Sequence, residues 1–228
     1  MHIGILQTGH APDILSSTTG DYPAMFERLF DGHGFTWTTW AVVDGDFPPG
    51  PDAAQGWLVT GSKHGAYEDH AWIAPLEDLI RAIRDRDMPM IGICFGHQII
   101  AQALGGRVEK FSGGWAVGRR RYDWGGDEVH LNAWHQDQVT AVPVGGTVVA
   151  QNEFCNAAAI AYGPRILTVQ PHPEFEDRAI EGLLATRGPG VVPDPLLRQA
   201  EADLGKPQDA QRVADILAGV LKGQPAHG

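Results

Sequence analysis

Short apolar runs alternate with helix-period segments through the first hundred residues, and few architectures accommodate that order. Residues 3–7, 35–43, 56–60 and 88–94 read as strands, the last as an unbroken apolar run. The stretch between Gln7 and Asp21 reads as a loop rich in Ser, Thr and Gly. A short helix follows it, with Asp21 as N-cap and Pro23 in the first turn. Residues 72–84 place Ile73, Leu76, Leu79, Ile80 and Ile83 at helical spacing, and residues 98–104 form an apolar helix closed by Gly105 and Gly106. Strands separated by helices pair in parallel, and a parallel sheet needs helices on both of its faces.

After Gly105 the pattern changes. Residues 111–162 hold short β-type runs broken by Gly, Pro, Asn and Asp, which predicts antiparallel hairpins extending the sheet. Residues 165–170 form a last strand. From Glu176 onward the chain reads as helical, interrupted at Gly188-Pro189-Gly190 and Pro193-Asp194-Pro195. The final helix, 210–221, carries Val213, Ile216, Leu217, Val220 and Leu221 on one side and is expected to pack on the domain. The fold class is therefore α/β: an open, mostly parallel twisted sheet with helices on both faces, added antiparallel hairpins and a helical C-terminal tail.

Charge and cysteine content narrow the function. Seventeen Lys and Arg against 28 Asp and Glu give a net charge of −11. Nucleic acid and anionic membranes are therefore not expected as partners, because phosphate contacts need clustered cations. The one basic run, Arg119-Arg120-Arg121, reads as a solvated hairpin face. Two cysteines cannot form a disulfide framework for 228 residues. The N-terminus has no basic n-region, and no stretch approaches the ~20 apolar residues that span a bilayer. A cytoplasmic protein with reduced thiols is expected.

The segment Gly92-Ile93-Cys94-Phe95-Gly96-His97-Gln98 lies where a buried strand turns directly into a helix. It is a G-x-C-x-G elbow, the thiol counterpart of a nucleophile elbow. Its glycines leave room for the sharp turn, and the turn lifts the sulfur toward the positive end of the following helix. That dipole and a nearby imidazole favour the reactive thiolate. A buried structural cysteine is the alternative, and the role assigned to Cys155, which sits in a β-type run near Ala157, is that of core.

A thiolate nucleophile needs a base, and the base an orienting group. Gln170-Pro171-His172-Pro173-Glu174 supplies both at the end of the last strand. Residues two apart in extended backbone share a face, so His172 and Glu174 point together, and the prolines keep the segment from coiling. Glu174 can accept from the imidazole and fix its tautomer.

Gly-x-Cys-x-Gly-x-Gln followed downstream by His-Pro-Glu resembles the class I glutamine amidotransferase family, over residues 3–175. The similarity extends to stand-alone members like the amidotransferase domain of GMP synthase and to γ-glutamyl peptidases. It implies a flavodoxin-like sheet and a Cys94–His172–Glu174 triad. It also implies an oxyanion hole from the Phe95 N–H and the Thr60-Gly61-Ser62 loop, centred on Gly61. Gln98 corresponds to the family's substrate-holding glutamine, and Trp134, His135, Gln136 and Asp137 to a loop whose backbone receives the substrate's α-amino and carboxylate groups. His135 is expected to be a structural polar residue beside the pocket, and His97 an orienting or packing one. The implied division is a catalytic domain over 1–187 and a helical extension over 188–228 packed on the same domain.

The resemblance implies attack on the side-chain amide of glutamine, a γ-glutamyl thioester and release of ammonia to a separate acceptor synthetase. A γ-glutamyl peptidase or hydrolase using the same residues is the alternative. A non-catalytic regulatory binding module is a third reading, and the intact Cys94, His172 and Glu174 argue against it. No cofactor or metal is expected: the ten histidines show no His-Glu-x-x-His or paired-cysteine spacing, and Gly113-Gly114 and Gly125-Gly126 lack the features of a phosphate loop. A homo-oligomer is compatible with such a chain.

Overall fold

In the computed structural model, which describes residues 1–225, nine strands form one twisted sheet. Their spatial order is β2 (Thr36–Trp40), β1 (His2–Leu6), β3 (Gly56–Val59), β4 (Met90–Ile93), β11 (Ile166–Val169), β10 (Ala159–Tyr162), β9 (Gly146–Gln151), β6 (Ala116–Trp124) and β7 (Asp127–His135). The first five run parallel, and from β10 onward each strand pairs antiparallel with its neighbour. β5 (Arg107–Lys110) and β8 (Asp137–Ala141) form a separate antiparallel ribbon, so the hairpin region only partly extends the sheet.

Every residue of β3, β4 and β11 is buried, which is why these strands read as unbroken apolar runs. Successive side chains serve opposite faces: Trp57 and Val59 join one core cluster and Leu58 the other. On one face lie α3 (Ile73–Asp85) and α4 (Phe95–Ala103). The stripe Ile73, Leu76, Ile80 and Ile83 docks α3 there, each side chain contributing about 1.5–3 kcal/mol on burial. The other face is covered by α1 (Asp13–Thr19), α2 (Tyr22–Leu29), α5 (Asp177–Thr186) and α7 (Ala210–Leu221), through Leu15, Phe26, Ile180, Val213 and Leu217. Between α5 and α7, α6 (Asp194–Ala202) lies on β6, so close that a Cβ on Gly118 would meet the Ala200 Cβ at 2.5 Å.

Asp21 caps α2 as expected, accepting from the Tyr22 N–H, with Pro23 in the first turn. Four expectations need correction. The second strand ends at Trp40, and a 3-10 turn takes over at Val42–Asp44. The helix expected to start at Gln98 starts at Phe95, immediately after the cysteine. The loop expected after Gln7 contains α1, whose Leu15 is wholly buried and packs against Gly182 of α5. Finally, the arginine run is not a solvated face. Arg121 is exposed and pairs with Glu128, whereas Arg119 and Arg120 are half-buried, Arg119 donating to the Pro207 carbonyl of the tail. Among the described residues no helix is long and apolar enough to cross a membrane.

Candidate active site

β3, β4 and β11 are adjacent and parallel, so their C-terminal ends deliver three loops to one edge of the sheet. Ligand crevices of open α/β sheets form at such carboxyl ends. β3 presents Thr60 and Gly61, β4 presents Cys94, and β11 presents Gln170 through Glu174.

Cys94 occupies φ 52°, ψ −103°, one of two non-glycine residues with positive φ among the described residues. The surroundings enforce this strained geometry. Its N–H donates to the Val169 carbonyl at 2.8 Å, and its carbonyl accepts from the Gln98 N–H at 3.0 Å, closing the first turn of α4. Both flanking glycines are required. A Cβ on Gly96 would lie 2.2 Å from the Val59 carbonyl oxygen, and one on Gly92 would lie 2.6 Å from the Gly96 carbonyl oxygen. These are backbone atoms of packed elements and cannot step aside. Gly96→Ala is therefore expected to destabilise the fold by about 3 kcal/mol, read as a lower urea midpoint with unchanged slope. An unchanged midpoint would show that the elbow is looser than these distances imply.

His172 Nδ1 and Glu174 Oε1 are 2.7 Å apart, both side chains buried. Glu174 Oε2 is also buried and has no hydrogen-bond partner, so among the described residues His172 alone compensates this carboxylate. Burial opposes a charged imidazole, but the Glu174 carboxylate and the Cys94 side chain outweigh it and raise His172 to about 10. The ring is clamped as well: Phe175 stacks on it at 3.9 Å and 1°, and Tyr22 stacks on Phe175 in turn. Asn132 of β7 ties the segment down, accepting from the His172 N–H and donating through its amide to the Phe175 carbonyl, each at 2.8 Å.

The Thr60-Gly61-Ser62 loop is strapped to the loop after β1. Thr8 Oγ1 donates to the Thr60 and Gly61 carbonyls at 2.9 and 3.1 Å, and Ser62 Oγ donates to the Thr8 carbonyl at 2.7 Å. With the Thr60 carbonyl turned toward Thr8, planarity sends the Gly61 N–H to the opposite side of the peptide. A Cβ on Gly61 would stand 3.1 Å from His172 Cε1 and 3.8 Å from the Cys94 Cβ, which places this backbone against both side chains.

Ser62, Cys94, Gln98, Trp134, His135, Gln136, Asp137 and His172 line one cavity of about 360 Å³, whose lining does not include Thr60, Gly61, Phe95 or Glu174. Residues 134–137, expected as a loop, are instead the junction of β7 and β8, with Gln136 alone between the strands. The Gln98 amide nitrogen donates to the Asp137 carbonyl (2.9 Å) and to Gln170 Oε1 (3.1 Å), fixing this wall to α4. His135 and His97 are buried imidazoles pushed down to about 3 by desolvation, so both are neutral. His97 accepts or donates at Thr168 Oγ1 (2.8 Å), consistent with packing. Cys155 is buried in the core.

Several contributors escaped the sequence reading. Gln170 lay inside the recognised segment, yet its amide reaches the Cys94 Sγ at 3.6 Å. Asn132 and Phe175 carried no signal of their own. Leu183, Arg187 and Val191, at the junction of α5 and the tail, line the same cavity. A larger groove of about 970 Å³, bordered by Gly125, Arg212 and Ile216, contains none of the predicted site residues, so chemistry rather than size locates the site.

Comparison with known proteins identifies the family. Residues 60–184 match the family model for glutamine amidotransferase class-I, a span that includes Cys94, His172 and Glu174. The chain is 32% identical to gamma-glutamyl peptidase 4 of Arabidopsis thaliana over 72% of its own length and 71% of the relative's. It is 37% identical to a glutamine-hydrolysing GMP synthase of Aromatoleum aromaticum over 54% of this chain and 26% of that protein. The crystal structure of a glutamine amidotransferase from Methylobacillus flagellatus superimposes with a TM-score of 0.75 at 21% identity, covering 100% of this chain and 96% of that one. The chain thus belongs to the class I glutamine amidotransferase family of enzymes.

Proposed function

We propose that this protein hydrolyses the γ-amide of glutamine, with Cys94 as nucleophile, and that the ammonia serves a separate acceptor synthetase. One observation carries the reading: a positive-φ cysteine at a strand–helix elbow shares a small cavity with a buried imidazole that a carboxylate holds charged. A cavity of about 360 Å³ lies at the lower end of the roughly 300–1,000 Å³ typical of small-ligand sites, which suits an amino-acid substrate.

The Cys94 sulfur attacks the amide carbon, and the carbonyl π electrons move onto oxygen. The Phe95 and Gly61 N–H groups stabilise that oxyanion, each such donor being worth about 3–4 kcal/mol in the transition state. His172 gives its proton to the departing nitrogen, the C–N bond breaks, and a γ-glutamyl thioester remains. Neutral His172 then takes a proton from water as the oxygen attacks the thioester; glutamate leaves and the thiolate–imidazolium pair returns. Gln98 and the wall at Trp134, His135, Gln136 and Asp137 hold the substrate's α-amino and carboxylate groups. Residues 1–187 form the catalytic unit, and the described residues of the 188–228 extension pack upon it.

A second reading has its own support. Several relatives matched over 72% or more of this chain are named γ-glutamyl peptidases, another matched over 80% of it is named a putative glutamine amidotransferase-like protein, and the GMP synthase match covers little more than half of it. The same thioester serves both chemistries, and only the leaving amine differs. Glutamate release from glutamine and from γ-glutamyl dipeptides, compared as kcat/KM, decides between them. Glutamine is expected to be turned over at least as well; a tenfold or greater preference for dipeptides would replace the first reading with the second.

A further inference from the structure

The turn between β3 and α3 gathers three side chains that the proposed hydrolysis does not use. Glu68 Oε2 lies 2.7 Å from His70 Nε2 and 3.4 Å from His64 Nδ1, and one donor atom from each of the three residues falls within 4.8 Å of the others. Local backbone bonds create the convergence: the Glu68 N–H donates to the Gly65 carbonyl, the His70 N–H to the Glu68 carbonyl, and the Ile73 N–H to the His70 carbonyl. The rings are also held in place. His64 meets His70 edge-on at 4.3 Å, and His70 stacks on Trp72, which packs against Phe95.

We propose that His64, Glu68 and His70 form a binding site for a zinc-class divalent cation at the rim of the Cys94 cavity. The donor set is two imidazole nitrogens and one carboxylate oxygen, which selects zinc and its first-row neighbours over the oxygen-seeking magnesium and calcium. With metal–donor distances of about 2.0–2.2 Å, tetrahedral geometry sets neighbouring donors about 3.4 Å apart. The His64–Glu68 separation already has that value. The His70–Glu68 separation is shorter because these atoms are hydrogen-bonded, and the cation replaces that hydrogen bond after a shift of about 0.7 Å.

Three protein ligands leave a fourth position open, as in catalytic zinc sites. His64 and Glu68 line the cavity that contains Cys94, so a bound cation would add a positive charge and a carboxylate-accepting position to its wall.

Binding is independent of the proposed reaction and is tested without it. Cys94 and His172 could themselves capture a soft cation, so the measurements use Cys94→Ser. Calorimetric titration with Zn²⁺ is expected to show one equivalent bound, and Co²⁺ a visible d–d spectrum free of thiolate charge transfer. His70→Ala and Glu68→Gln, each in the Cys94→Ser background, are expected to weaken Zn²⁺ binding at least tenfold. Their metal-free melting temperatures should match the parent, because these side chains are only partly buried. Absence of saturable binding in Cys94→Ser, or equal binding in His70→Ala, would overturn the proposal whatever the fate of the glutaminase reading.

Discussion

Cys94→Ala is expected to reduce glutamate release at least about 10⁴-fold, with substrate affinity little changed. Loss of the sulfur removes the thioester path entirely, while the oxyanion donors and cavity wall stay in place to give the small residual rate. No second thiol can substitute, since Cys155 is buried and desolvation pushes it up to about 12. The fold should tolerate the change, because the side chain borders a cavity and alanine adds no bulk to the elbow. Single-turnover and steady-state release, with melting temperature as control, check this. A loss smaller than tenfold would remove Cys94 from the role of nucleophile.

Glu174→Gln is expected to lower kcat by about 10⁴, as exchanging a buried carboxylate for an amide does where it orients a catalytic imidazole. The amide cannot compensate an imidazolium and can stabilise the wrong tautomer by donating to Nδ1. The pH dependence separates this account from simple misfolding. In the native protein burial disfavours protonated His172, yet Glu174 and Cys94 raise it to about 10, so kcat/KM should fall only as pH approaches that value. In Glu174→Gln the same alkaline limb should move toward the ordinary histidine value of about 6.5. Stability follows with a definite sign. A group whose folded pKa lies above its unfolded one stabilises the fold fully below about pH 6.5, and that contribution is lost as pH rises toward 10. The native urea midpoint should therefore decline relative to that of Glu174→Gln across this window. Parallel pH profiles in the two proteins would mean that Glu174 does not hold the proton on His172.

The parts of this fold legible in advance are those where local chemistry and tertiary structure agree. Gly92 and Gly96 announce a turn that no Cβ survives, and the all-apolar runs at β3, β4 and β11 announce burial on both faces. Proline on either side of His172 announces an extended segment bringing Glu174 alongside. What escaped depends on distant contacts. The Ser- and Thr-rich α1 has weak helix propensity and forms because Leu15 is buried against α5. Arg119 looks solvent-facing until the tail returns to offer it a carbonyl. Asn132 becomes essential to the histidine segment only because an antiparallel strand passes beside it. His64, Glu68 and His70 match no ligand spacing, since a turn rather than a helix or strand brings them together.

β4 and β11 pair directly, Gly92 opposite Thr168 and Ile93 opposite Val169, although everything from Gly105 to Ala158 intervenes in the chain. That intervening stretch is an excursion: it departs after α4, which starts at the elbow, and ends at Ala158, beside Gln170. Insertions or exchanges within its hairpins can reshape the cavity wall at Trp134–Asp137 while the sulfur–imidazole spacing stays anchored in the parallel core. Asn132 and the Ala158 carbonyl, which accepts from the Gln170 N–H at 2.8 Å, link the excursion back to the histidine segment. On the proposed reading, the architecture thus uncouples the selection of leaving group from the reaction itself, and a lineage could change its substrate by redrawing the hairpins while leaving the elbow untouched.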